Sequence, residues 1–313
     1  MARKIIIDTD PGQDDAVAIL MALGSPEELD VQGIVTVAGN VPLSRTTYNA
    51  RQILELARRA DVPLYAGCAR PMRRKPVTAE HVHGPTGLDG PSLPAPTIKV
   101  SEPHGMLFIV DALRAAEVGE ITLVTLGPLT NIAMAMVFAP DIVERIAEIV
   151  MMFGAYSEGG NITPVAEFNS YVDPEAADVV LNSGVKITMV PLDATHQCLS
   201  TRPRLKAFRE IGNASGVATH EMLTFSEGFD VKKYGWDGAP LHDPCVIAYL
   251  LAPELFGGKH VNVCVHTGDG PTAGMCIVDW WRVTERPANV VFLREVDVAG
   301  FYKLLTERLA RLP

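Results

Sequence analysis

Four carboxylates fall within eight residues at Asp8-Thr9-Asp10-Pro11-Gly12-Gln13-Asp14-Asp15, directly after the apolar run Ile5-Ile6-Ile7 and just before an apolar helical pattern. Like charges this close raise one another's pKa unless a cation or a set of donors compensates them. A preference of Asp14 and Asp15 for the positive end of a helix dipole, with Asp8 and Asp10 as turn residues, accounts for two of the four at best. Pro11 and Gly12 bend the chain so that Asp10 and Asp15 can face one point. Carboxylate oxygens converging from one loop, with no His or Cys among them, suit a hard divalent ion, Ca2+ or Mg2+, rather than zinc. A second acidic position, His242-Asp243-Pro244, reads by itself as a helix start with Asp at the N-cap and Pro at the first helical position.

The elements that must position these groups alternate between short β-branched runs and longer helical patterns. Strands are expected at Lys4-Asp8, Val31-Val37, Ile121-Leu126, Glu148-Met152, Lys186-Val190, Val261-Val265 and Asn289-Leu293. Helices are expected at Asp14-Leu23, Leu43-Ala60, Gly105-Ala116, Leu129-Ala139, Glu175-Asn182, Arg204-Ile211, Ser215-Phe229, Pro244-Leu251 and Val296-Leu312. The pattern implies an α/β fold with a Rossmann-like, open, mostly parallel central sheet flanked by helices, in one domain over 1-313. Two irregular stretches, Cys68-His104 and Tyr156-Pro174, interrupt the rhythm, and long ordered loops in such a fold are more often functional than accidental. Ligands of open parallel sheets bind beyond the carboxyl ends of the strands, where the polar clusters fall.

Composition narrows the function classes. Of 313 residues 48% are apolar and 20% charged, which describes a globular chain with a large core. A formal charge of -10 argues against a nucleic-acid partner, since such binding relies on clustered Lys and Arg. The one basic cluster, Arg70 to Lys75, reads as a short solvated loop. No apolar run is long enough for a membrane span, and the apolar stretch after Met1-Ala2-Arg3-Lys4 is too short for a secretory signal, so a cytoplasmic protein is expected. Cys68, Cys198, Cys245, Cys264 and Cys276 are odd in number and never form CxxC, which suggests buried free thiols.

The segment Asp8-Thr-Asp-Pro-Gly-Gln-Asp-Asp15 resembles the N-terminal signature of the inosine-uridine preferring nucleoside hydrolases. Further blocks follow in that family's order: His83-Gly-Pro-Thr-Gly-Leu-Asp-Gly90, Leu126-Gly-Pro-Leu-Thr-Asn-Ile-Ala133, Ala166-Glu-Phe-Asn169 with Asp173-Pro-Glu-Ala176, Leu192-Asp-Ala-Thr-His-Gln197 and His242-Asp-Pro-Cys245. The resemblance implies hydrolysis of the bond between ribose and base in a ribonucleoside. It implies a Ca2+ held by Asp10, by both oxygens of Asp15, by Asp243 and by the backbone carbonyl of Leu126, and oxygen ligands in that number suit calcium better than magnesium. It gives Asp14, Asn40, Asn161, Glu167, Phe168 and Asn169 to the substrate, chiefly to the ribose hydroxyls. Relatives of this kind are homodimers or homotetramers, which is expected here on the same ground.

The chemistry this resemblance implies passes through an oxocarbenium-like state, with positive charge growing on the sugar and negative charge on the departing base. Asp10 is the expected general base, and Asp14 and Glu167 are expected to favour the sugar's charge. His242 is the expected proton donor to the base because imidazole titrates near working pH, with His83 assisting. The family's purine-specific branch stacks the base on tryptophan, whereas this chain offers His83 in its first long loop, which favours a pyrimidine or inosine-uridine preference. Phe229, Tyr234 and Trp236 are expected to close over the base, and Trp236 as a stacking ring keeps the purine reading open.

Two other classes compete. Asp8-Thr-Asp10 loosely resembles the nucleophile motif of haloacid-dehalogenase-like phosphatases, but the only Gly-Asp pair, Gly268-Asp269, lacks the further acid that family needs. A non-catalytic nucleoside-binding protein would lose the base or the acid, and both Asp10 and His242 are present.

Overall fold

A computed structural model describes residues 2–313, the side chain of Asp230 excepted. Its strands are β1 (Arg3–Thr9), β2 (Leu29–Thr36), β3 (Leu64–Ala66), β4 (Ile121–Thr125), β5 (Ile146–Met152), β6 (Ile187–Val190), β7 (Leu199–Thr201), β8 (Gly238–Pro240), β9 (Phe256–Val265), β10 (Cys276–Asp279) and β11 (Val290–Val296). Nine of them form one sheet in the order β10-β9-β11-β6-β5-β4-β1-β2-β3, and β7 pairs with β8 separately. The seven strands from β3 to β11 in that order run parallel, while β9 is antiparallel to both β11 and β10.

The central strands β1, β4, β5 and β6 are apolar on both faces because helices cover both. Ile5, Ile7, Val124, Val150 and Val190 point into one core, which also holds the helix Gln13–Leu23. Their neighbours Ile6, Leu123, Ile149 and Met189 point into the other, with the helices Gly105–Ala115, Thr130–Phe138 and Pro174–Leu181. This period-two division produces a helix-sheet-helix sandwich. The chain builds β1, β2 and β3 outward in one direction and then crosses to β4 on the other side of β1. That reversal is the topological switch point where doubly wound sheets open a ligand crevice.

All seven expected strands form. Of the four unexpected ones, β3, β7 and β8 have three residues each, too few for a period to be counted, and β10 has four. The expected helix Leu43-Ala60 ends at Leu56, and Arg58 takes a left-handed conformation with φ 53°. The expected helix Ser215-Phe229 runs on to Tyr234, where Gly235 closes it at φ 69°. The aromatic segment after Phe225 is therefore largely helical. All five cysteines are free. Among the described residues no helix is long and apolar enough to cross a membrane.

Candidate active site

The loop between β1 and the helix Gln13–Leu23 is built around Asp15. Its Oδ1 accepts hydrogen bonds from Thr9 Oγ1 (2.5 Å) and the Asp10 amide (3.2 Å), and its Oδ2 from the Gly12 amide and Asn40 Nδ2, both at 3.0 Å. These four donors match the lone-pair sites of a carboxylate. Asp15 thus holds the loop, and a bidentate grip on a cation would have to displace or share some of them.

Asp10 lies beside it, 1% exposed. Its Oδ2 accepts from the Asn40 amide at 2.7 Å, while its Oδ1 is buried with no donor among the described residues. Gly39 and Gly127 wall the carboxylate on two sides, and a Cβ on either would overlap its oxygens. Leu126, immediately after β4, is tied to β1 by its amide bonding the Asp8 carbonyl at 2.8 Å. Its own carbonyl faces Asn169 Nδ2 at 2.8 Å and keeps one lone pair free.

Asp243 arrives from far along the chain. The β7-β8 ladder carries it there, and the Leu241 amide bonds the Cys198 carbonyl at 3.0 Å. The tripeptide looked like a capping arrangement, yet the Asp243 side chain makes no cap bond to the helix Pro244–Leu251. Instead, ligand atoms of Asp14, Asp15 and Asp243 lie within 4.8 Å of one another. Asp10 is not a member of that compact group. Burial first, and then the charge of its neighbours, pushes the carboxyls of Asp10, Asp15 and Asp243 above the usual range. A donor-free buried oxygen on Asp10 and three convergent carboxylates, all oxygen donors, fit a hard divalent cation, whose charge would reverse those shifts.

A cavity opens above this acidic floor. Asp14, Asn40, His83, Leu126, Asn161, Glu167, Phe168, Asn169, Phe229, Tyr234, His242 and Asp243 all line it, so most of the expected site residues meet in one place. Asp10 and Asp15 lie beneath the lining. Trp236 is not among the lining residues: it stacks on Tyr234 with ring centroids 4.4 Å apart and meets the edge of His196 at 5.0 Å. The helix ends at Tyr234, and Trp236 follows the Gly235 cap, half-buried against His196.

Two further residues have jobs the sequence did not suggest. Glu167, only 2% exposed, caps the short helix Phe168–Val172, its oxygens accepting from the amides of Asn169 (2.7 Å), Gly154 (2.9 Å) and Ser170 (3.1 Å). Even so, burial raises its pKa to about 7. Glu167→Ala leaves those three amides without an acceptor. It is expected to cost about 2–4 kcal/mol of stability by chemical denaturation, and a loss under about 0.5 kcal/mol would show that water replaces the carboxylate. His242 bonds Thr195 Oγ1 through Nδ1 at 2.7 Å. Burial, followed by the charges of His196, His83 and Lys233, depresses its pKa to about 3. Burial thus favours the neutral ring over the imidazolium of an imidazole titrating near neutrality. His83 is also depressed by burial, and its Nδ1 lies 2.6 Å from Gln13 Oε1.

Gln13, Thr195, His81, Ile162 and Lys233 were not foreseen. Gln13 and Thr195 sit inside the quoted blocks, where a polar residue without a role was the available signal. His81, Ile162 and Lys233 carry none, because only the packing of loop and helix brings them to the cavity.

A largely apolar-walled crevice with a few convergent polar groups over a carboxylate floor, at the switch point of a doubly wound sheet, has the form of an α/β enzyme site for a small ligand. A model of the family described as inosine-uridine preferring nucleoside hydrolase matches residues 5–303. A protein of Schizosaccharomyces pombe carrying no functional name is 53% identical over 99% of this chain and 100% of its own. A pyrimidine-specific ribonucleoside hydrolase of Photobacterium profundum is 44% identical over 99% of both chains. Among solved structures, a plant nucleoside hydrolase superposes with a TM-score of 0.92 at 34% identity, covering 99% of each chain. A purine-preferring ribonucleoside hydrolase from Gardnerella vaginalis gives 0.91 at 31% identity, covering 98% of each. The chain belongs to the inosine-uridine preferring nucleoside hydrolase family, and is a nucleoside N-ribohydrolase.

Proposed function

We propose that this hydrolase depends on a divalent cation, Ca2+ by the character of its ligands, and prefers pyrimidine ribonucleosides such as uridine. The observation that carries the preference is the composition of the cavity wall: among the described residues no tryptophan lines it, and the aromatic face comes from Phe229 and Tyr234. The 44% identical pyrimidine-specific relative supports the same reading. A purine preference keeps one support, the Trp236 ring stacked one layer behind Tyr234.

Asp10, Asp15, Asp243 and the Leu126 carbonyl would hold the cation, with Asp14 beside them. When bound, such an ion supplies positive charge that acidifies water and orients sugar hydroxyls. Asn40 and Asn161 on loops, and Asn169 in the short helix Phe168–Val172, present short amides suited to the directed hydrogen bonds that a sugar needs. Asp10 takes the proton of the attacking water, and the carboxylates of Asp14 and Glu167 favour the charge developing on the ribosyl carbon.

His242 acts as a neutral donor. In the tautomer where Thr195 Oγ1 donates to Nδ1, the hydrogen sits on Nε2 and is offered to the base. A pyrimidine can delocalise its negative charge onto its own carbonyl oxygen, whereas a purine gains more from a donor. His242→Ala is therefore expected to lower inosine turnover by about 10²-fold and uridine turnover several times less. Equal losses on the two substrates would remove the distinction. The preference itself is tested by a panel of uridine, cytidine, inosine, adenosine and guanosine, with free base and ribose measured. Uridine or cytidine should show the highest kcat/KM, and a lead for adenosine or guanosine would overturn the assignment.

A further inference from the structure

Lys233 is the one lysine or arginine that lines the cavity among the described residues. The other charged lining groups, Asp14, Glu167 and Asp243, are all acids suited to a sugar that becomes positive. The departing base becomes negative, and nothing in the acidic floor can favour that. Lys233 lies in the last turn of the helix Ala214–Tyr234, on the aromatic wall. Its Nζ lies 4.8 Å from the Tyr234 ring centroid and 5.6 Å from that of Phe229, and it donates to the Asn161 carbonyl at 2.6 Å. The carbonyl occupies one of the three ammonium hydrogens, and two remain for another acceptor. A flat base lying against Tyr234 and Phe229 would bring its carbonyl oxygens near this ammonium.

We propose that Lys233 is a leaving-group residue, whose ammonium stabilises the negative charge that reaches the base as the glycosidic bond breaks. In that step the bond between the ribosyl carbon and the base nitrogen parts with both electrons on the base. Water adds to the ribosyl carbon and gives up a proton, and the base takes up a proton from its surroundings. Lys233 itself loses nothing: it pairs with the anion and is released when the base is protonated.

The inference rests on the proposed nucleoside hydrolysis at this site, and leaving-group chemistry separates the two. Lys233→Met, Lys233→Arg and the unaltered protein are compared on the best-cleaved ribonucleoside and on p-nitrophenyl β-D-ribofuranoside, whose leaving group is stable as an anion without help. Lys233→Met should lower kcat on the ribonucleoside about tenfold, the modest size reflecting an exposed and screened charge, and leave the nitrophenyl riboside within about twofold. Lys233→Arg should restore most of the loss. Equal losses on both substrates would show that the bond to Asn161 merely latches the helix over the cavity, and no loss on the ribonucleoside would show that Lys233 is a bystander; either result overturns the proposal. An unaltered protein that cleaves no ribonucleoside would bring down the functional reading, and this inference with it, before any variant is compared.

Discussion

Asp10→Asn is expected to lower turnover by about 10³-fold or more while the protein remains folded. The substitution keeps the shape of the side chain, and the amide oxygen can still accept from the Asn40 backbone at the place Oδ2 now holds. What changes is the other atom. Oδ1 has no donor, and an NH2 group in its place can neither ligate a cation nor accept a proton from water. Measured by steady-state kinetics on uridine with metal content checked in parallel, the variant should be nearly inactive whether or not it still binds an ion. Near-native turnover in a variant that retains its ion would remove Asp10 as the base.

Gly127→Ala is expected to have the next largest effect, about 10²-fold in kcat, since small displacements of a reacting group are that costly. The backbone at Gly127 is not in the left-handed region, so alanine is conformationally acceptable there. Its methyl group, however, would overlap Asp10 Oδ1 and press on Val37 Cγ1. Gly39 has the same relation to Oδ2. Circular dichroism and thermal unfolding should show a folded variant, so that the kinetic loss reports the position of the carboxylate alone. Unchanged kcat would mean that the Asp10 side chain has room to retreat without consequence.

The part of the site legible in the sequence was the part whose logic is local. Asp8 to Asp15 follow one strand within a single turn, and a crowded set of carboxylates at a strand end has few explanations. The centre of the sheet was legible for a similar reason: strands such as β1, β4 and β5, buried on both faces, leave continuous apolar runs. What stayed hidden depends on partners distant in the chain. Thr195 and His242 are 47 residues apart and meet only because β7 and β8, three residues each, pair. The depressed pKa of His242 comes from burial that no periodicity displays. The resemblance gives Glu167 to the sugar, and its bond to the Gly154 amide, from a different part of the chain, appears only in the fold. Trp236 was placed on the base by composition, whereas the chain turns at Gly235 and leaves it behind Tyr234.

Everything proposed for the chemistry depends on carboxylates from the first loop and from the last third of the chain sharing one cation. The most direct measurement is the divalent-ion content of active protein, followed in the same sample by uridine hydrolysis as chelator is titrated in. One calcium per chain is expected, with activity lost as the ion is stripped and regained when calcium is returned. Undiminished activity in protein shown to hold no divalent ion would contradict it.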